Sequence, residues 1–180
     1  VQTVDCKGNG TLNLKGGVLV ARSLSNGGNA GIVNFDGGVL RPDPDAGTLV
    51  GSGGPALKVL SGGVIVSNDT QVSIAKALES GVAAGETDGG LVKRGRGKLI
   101  IDSTTIGYNG KTTVESGILW IKKGVTLGDI EVKEGGLIVV DASSDASSVA
   151  SIDGTGLFAH GAITVPRSEE RRVGKECRSR

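Results

Sequence analysis

The sequence predicts an all-β chain wound as a solenoid of roughly six to seven stacked coils, and three observations predict it. The pair Gly-Gly recurs at Gly16-Gly17, Gly37-Gly38, Gly62-Gly63, Gly89-Gly90 and Gly135-Gly136, each time leading into a short aliphatic run. Ser116-Gly117 opens a sixth run, Ile-Leu-Trp-Ile, so successive starts lie 21, 25, 27, 27 and 19 residues apart. That is the period of a turn-plus-strand unit stacking on its neighbours. Val, Ile, Leu and Thr dominate between the glycines, and no long segment has a helical period. The 32 glycines in 180 residues follow no three-residue repeat, which excludes collagen. The apolar alternation that returns in every unit argues against disorder.

Each element follows from local pattern. Thr11–Leu14 and Val18–Ala21 flank the first Gly-Gly, and Gly31–Phe35 and Val39–Arg41 flank the second. Arg41-Pro-Asp-Pro-Asp45 is a turn, because proline fixes φ and aspartate bonds back to nearby amides. Strands follow at Thr48–Val50, Ala56–Leu60 and Val64–Ser67. Gln71–Ala77 reads as a strand from its Val-Ser-Ile alternation, although Val72, Ile74, Ala77 and Leu78 also fit a short helix. Then come Leu91–Lys93, Lys98–Asp102, Thr112–Glu115, Ile118–Lys122, Ile130–Lys133 and Leu137–Val140. The polar, low-complexity run Asp141–Ser151 reads as a loop or a poorly ordered coil near a boundary. Period-two alternation turns Leu99, Ile101, Leu119 and Ile121 inward and leaves Ile100 and Trp120 outside. With four aromatic residues, Phe35, Phe158, Tyr108 and Trp120, the core is aliphatic. Burying one such side chain is worth roughly 1.5–3 kcal/mol. A single unit cannot offset its chain entropy with half a dozen of them and needs its neighbours.

Residues 1–166 read as one continuous solenoid, whereas Arg167–Arg180 (RSEERRVGKECRSR) break every upstream pattern. The tail resembles translated sequencing-adapter read-through and is excluded from the fold. The absence of methionine fits a partial reading frame. The tail holds six of the 20 basic and three of the 19 acidic residues, leaving 14 against 16 in the body. The formal charge of +1 therefore becomes −2, and no nucleic-acid-binding arm remains. Cys6 and Cys177 cannot form a disulfide framework or a metal cluster. No apolar run reaches membrane-spanning length.

The motifs that could carry chemistry are weak. Polysaccharide-cleaving β-helices need convergent carboxylates on neighbouring coils about 5–9.5 Å apart. No Asp-Asp occurs, and Asp43 and Asp45 flank a proline. His160, the lone histidine, reads as a loop or solvent-facing residue, and Cys6 as a small buried one. Gly51-Ser-Gly53-Gly54 lacks the last glycine of a dinucleotide fingerprint, and Gly95-Arg-Gly97-Lys98 is followed by Leu99 where a P-loop needs Ser or Thr. Gly27-Gly-Asn-Ala-Gly31 lacks the aspartate of a calcium-binding nonapeptide. Asn9-Gly-Thr11 and Asn68-Asp-Thr70 match the glycosylation acceptor. No catalytic, cofactor or metal site is expected.

Residues 89–121, GGLVKRGRGKLIIDSTTIGYNGKTTVESGILWI, resemble the autotransporter-associated β-strand repeat, or passenger-associated transport repeat. The matching positions are Gly89, Gly90, Leu91, Lys93, Gly95, Gly97, Leu99, Tyr108, Gly110, Thr112, Val114, Gly117 and Leu119. The segment departs from the family at Ile106-Gly107, where the turn before Tyr108 is one residue longer. Val33–Pro42 and Gly62–Leu78 resemble the coils that precede this repeat in large bacterial surface proteins. The resemblance implies a right-handed parallel β-helix. It implies an exported, surface-displayed or secreted bacterial passenger, without catalytic residues. Its partners would be the rest of the passenger and a translocator domain, with no nucleic acid and no membrane insertion of this segment. Family members commonly place small or polar residues at the positions of Arg94, Arg96 and Lys98. With Lys93 these form a cluster that could draw a polyanion by charge.

The expected function is thus a structural stalk segment of an autotransporter-type surface protein. The alternative is an adhesin-like module that holds surface glycans on one lateral face through Lys93, Arg94, Arg96 and Lys98. A polysaccharide-degrading enzyme ranks third.

Overall fold

A computed structural model describes residues 3–6, 9–103, 106–122, 126–140, 147–160 and 163–164. It is an all-β solenoid of about six turns, with no helix among the described residues. After β1 (Thr3–Asp5) the first coil runs through β2 (Thr11–Leu14), β3 (Val18–Ala21) and β4 (Ser23–Ser25). The second has β5 (Ile32–Phe35), β6 (Val39–Pro42) and β7 (Thr48–Val50); the third, β8 (Ala56–Val59), β9 (Val64–Ser67) and β10 (Val72–Ile74). The fourth has β11 (Leu78–Ser80), β12 (Leu91–Arg94) and β13 (Lys98–Ile101). Two-strand coils follow: β14 (Thr112–Val114) with β15 (Gly117–Ile121), β16 (Thr126–Val132) with β17 (Gly136–Val140), and β18 (Ser147–Gly154) with β19 (Leu157–His160). The described chain ends at β20 (Ile163–Thr164).

Equivalent strands of successive coils pair in parallel and build three faces. The first face is β2-β5-β8-β11, and the second is β3-β6-β9-β12-β14-β16-β18-β20. The third is β7-β10-β13-β15-β17-β19, with β4 beside β7 and β1 paired to β4. Parallel register makes each inward position a column. On the third face, Val72, Leu99, Leu119 and Ile138 align, as do Ile74, Ile101, Ile121 and Val140. On the first face Val33, Leu57 and Leu78 align. All eleven of these side chains are at most 1% exposed.

Among the described residues the first face ends at β11, in the fourth coil. Glu79 of β11 forms an isolated parallel bridge to Gly107. Gly128 then lies over the Asn109–Gly110 turn. Residues 126–129 of β16 extend past β14 and pair with Ser148–Ser151 of β18, so long strands replace a corner. Buried Tyr108 sits where the first face ends, its hydroxyl 2.7 Å from the Thr112 hydroxyl.

Four of the glycine pairs, Gly16-Gly17, Gly37-Gly38, Gly62-Gly63 and Gly89-Gly90, lie at the corner between the first and second faces, whereas Gly135-Gly136 lies between the second and third. Gly90 has φ +66°, and a Cβ there would strike the Lys111 carbonyl oxygen of the next coil. Glycine alone satisfies both constraints.

Several sequence readings need correction. The stretch 71–80 holds two strands around a corner, β10 and β11, because a coil that closes on a small interior must bend every few residues. Part of the polar run 141–151 is strand: β18 begins at Ser147, held by the ladder of β16 rather than by propensity. Residues 141–146 and the tail 167–180 lie outside the described residues. His160 ends strand β19, in register with Val140, and is not in a loop. The turn expected over Arg41–Asp45 is shorter, since Arg41 and Pro42 end β6; it begins at Asp43, whose carboxylate accepts from the Asp45 amide at 3.0 Å.

Candidate functional site

The four-residue basic cluster straddles the corner between β12 and β13, and the structure disperses it. In Leu91-Val92-Lys93-Arg94, Leu91 points inward, so the period-two rule also turns Lys93 inward. Lys93 is in register with Val66 on one side and Val114 on the other, and it is 0% exposed. As a member of a surface ridge, Lys93 is therefore a misreading: the expectation that cations face water hid the strand parity that places it inside. Its ammonium donates to the carbonyls of Arg94 and Gly95, each at 2.6 Å, and of Ser116 at 3.3 Å. Burial lowers its pKa to about 8, against the opposing pull of Asp69.

The other three cations reach the outside, each toward a different partner. Arg94 donates through Nε to Glu115 at 2.6 Å, and Lys133 approaches the same carboxylate at 3.4 Å. The hydrogen bond with Arg94 is the main reason the Glu115 carboxyl titrates below its ordinary range and the Arg94 guanidinium above its own. Arg96 stands 3.9 Å from Asp69, with its side chain 90% exposed. Lys98 places its ammonium 4.6 Å from the centroid of the Trp120 ring, within cation–π range.

Around this corner the outer faces differ. The first face is polar, with Asn34 donating to Asn13 and Lys58 paired to Glu79. The second face carries Val18, Val39, Ile65 and Val92 in one outward column, followed by Thr113, Glu131 and Asp153. The third begins with Thr48 and Ser73 and continues with Ile100, Trp120 and Val139, beside Lys98, Ile118 and Leu137. Ile100 and Trp120 do point outward as expected. Ile100 is nonetheless only 8% exposed, and the covered Trp120 Nε1 has no partner among the described residues.

Two features escaped the sequence reading. The first is Asp88, 4% exposed, immediately before Gly89-Gly90. Its Oδ1 accepts from the amides of Gly90 and Gly110, and its Oδ2 from the Asn109 amide, all at 2.9 Å. Asn109 returns the bond, its Oδ1 accepting from the Asp88 amide at 2.9 Å. The signal was an Asp-Gly-Gly and an Asn-Gly separated by one coil length. The second is Glu131 and Asp153, in register on neighbouring coils, a carboxylate pair that a search for adjacent Asp residues could not see. Lys111 donates to Glu131 at 2.9 Å, which raises the lysine's pKa. Asp153 stands exposed, its Oδ1 accepting from the Gly154 amide at 2.8 Å.

Other candidates are also placed. Cys6 is a free, buried thiol in the hydrophobic core, its pKa raised by burial. Asn68 is 2% exposed and its amide donates to the Thr70 carbonyl at 2.7 Å, so it is no glycosylation acceptor in the folded chain. Asn9 is exposed. Among the described residues, no group of three His, Cys, Asp or Glu could hold a metal ion. A shallow depression of about 380 Å³ lies beside Ser23, Ser25, Asn26 and Thr48, and none of its lining residues is titratable.

No protein-family model, curated protein or solved structure matches this chain.

Proposed function

We propose that this chain is a structural segment of a larger exported bacterial surface protein, a passenger or stalk that carries other modules outward. The observation that supports it is the commitment of polar groups to contacts between coils. Lys93, Asp88, Asn109 and the Arg94–Glu115 pair each bond from one coil to the next. Nearest-neighbour stability of this kind lets coils fold one after another once the chain is outside a membrane. The resemblance of residues 89–121 to the passenger-associated repeat supports the export and surface parts of the reading.

The adhesin-like alternative, a polyanion held by Lys93, Arg94, Arg96 and Lys98, draws less support. Lys93 faces the interior, and Arg94 and Arg96 each stand beside a carboxylate. Two experiments separate the readings. With the full chain joined to an outer-membrane translocator barrel, intact cells should expose it to added protease; retention in the periplasm would refute the passenger reading. On an anionic-glycan array the chain should show no retention beyond that of an Arg94→Ala, Arg96→Ala double variant. Retention lost in that variant would favour the adhesin.

A further inference from the structure

Lys93 occupies a position built for valine. The column Leu40, Val66, Lys93, Val114, Val132 runs along the inside of the second face, each in register with the next. The lysine stem takes the valine's place, and the ammonium continues to the inner side of the corner between the second and third faces. Three carbonyls meet it there: two from its own corner, Arg94 and Gly95, and one from the next coil, Ser116. An ammonium has three N–H donors, and each has one acceptor.

The coil before it adds a further acceptor beside this corner. Asn68 stacks beneath this corner: its amide donates to the Arg94 carbonyl at 3.1 Å and its carbonyl accepts from the Gly97 amide at 2.9 Å. Its side-chain Nδ2 is committed to Thr70, while Oδ1 is covered without a partner among the described residues. The other charged groups near the corner lie outside: Arg94 on Glu115, Arg96 beside Asp69, Lys98 over Trp120. Oxygen therefore converges inside this corner, and a cation balances it.

We infer that the corner is a carbonyl-lined cation site spanning two coils, that Lys93 supplies its occupant, and that it accepts a free primary ammonium ion once the tether is cut. The geometry selects the chemical class. Three neutral oxygens at 2.6 to 3.3 Å suit N–H donors, whereas a hard metal ion such as calcium takes about six to eight oxygens at shorter range. Replacing Lys93 by Ala removes Cγ, Cδ, Cε and Nζ, the heavy atoms of n-propylammonium.

The test is the urea midpoint of the full-length Lys93→Ala chain in n-propylammonium chloride, compared with equal sodium chloride, tetramethylammonium chloride and n-propanol. Propylammonium should raise the midpoint saturably. At ten times its dissociation constant the folded-to-unfolded ratio rises about elevenfold. The salts and the isosteric alcohol should not reproduce this, and wild type and Lys93→Met, whose side chains fill the space, should not respond. If Lys93→Ala is unfolded alone, the same series is read as recovery of the strand signal in circular dichroism. Propylammonium acting no better than sodium chloride, on a folded or an unfolded variant, overturns the inference. So does equal rescue by n-propanol, which would mark an apolar cavity.

Discussion

Asp88 Oδ1 and the Gly110 amide nitrogen stand 2.9 Å apart across 22 residues of sequence, with both groups buried. The same carboxylate holds the Gly90 and Asn109 amides, so one side chain ties two coils at the corner where the first face ends. Asp88→Ala would leave three amides without their acceptor. An unsatisfied buried group costs about 1–3 kcal/mol, and a loss of at least about 3 kcal/mol is expected by urea unfolding. Asp88→Asn keeps Oδ1 but presents an amide to the Asn109 N–H, and should lose about half as much. Equal stability of Asp88→Ala and wild type would refute the staple.

Gly16 and Gly90 share a left-handed backbone, φ +68° and +66°, yet differ in surroundings. A Cβ on Gly16 meets open space, while one on Gly90 runs into the Lys111 carbonyl. Gly16→Ala should cost about 1 kcal/mol, the conformational penalty alone. Gly90→Ala adds a backbone clash and should cost at least about 3 kcal/mol more, within the range reserved for severe packing errors. Thermal or urea unfolding of the pair isolates the packing share, since the φ strain cancels.

Stability should pass through a maximum on the alkaline side. Lys93 titrates near 8 when folded, below its ordinary 10.5, because burial disfavours the ammonium. Between those values the unfolded chain holds the extra proton, so stability climbs with pH, by at most about 3 kcal/mol. Burial raises the Tyr108 hydroxyl above its ordinary 10.0, so its contribution is complete below pH 10 and is lost above it. The raised Cys6 thiol acts likewise above its ordinary 9.0, and the series belongs in a Cys6→Ala background. Unfolding midpoints from about pH 7 to 11 should rise, then fall. Lys93→Met should flatten the rise and Tyr108→Phe the fall.

The Arg94–Glu115 pair is short, at 2.6 Å, but its side chains are 44% and 28% exposed. Arg94→Ala should therefore cost less than about 1 kcal/mol, and less still in high salt. The lowered Glu115 carboxyl contributes stability above its unfolded pKa, and that share fades as pH falls through the folded one. Glu115→Gln should make the midpoint less acid-sensitive between about pH 5 and 3, measured against wild type.

The coil period and the inward residues of most strands were legible in the chain, because glycine at a corner and alternation along a strand are local requirements. Leu99, Ile101, Leu119 and Ile121 face inward by parity alone, and all are buried. Parity also placed Lys93 inside, against the solvation preference of a charge, and only the converging carbonyls of Arg94, Gly95 and Ser116 make that position tenable. Those oxygens belong to two coils, and where they point is set by corner geometry that no stretch of sequence contains. Asp88 with Gly110, and Glu131 with Asp153, likewise became neighbours through the stacking of coils 22 residues long. Local periodicity determined which residues form strands. The register between coils, a tertiary quantity fixed by packing the whole interior at once, decided which polar groups meet.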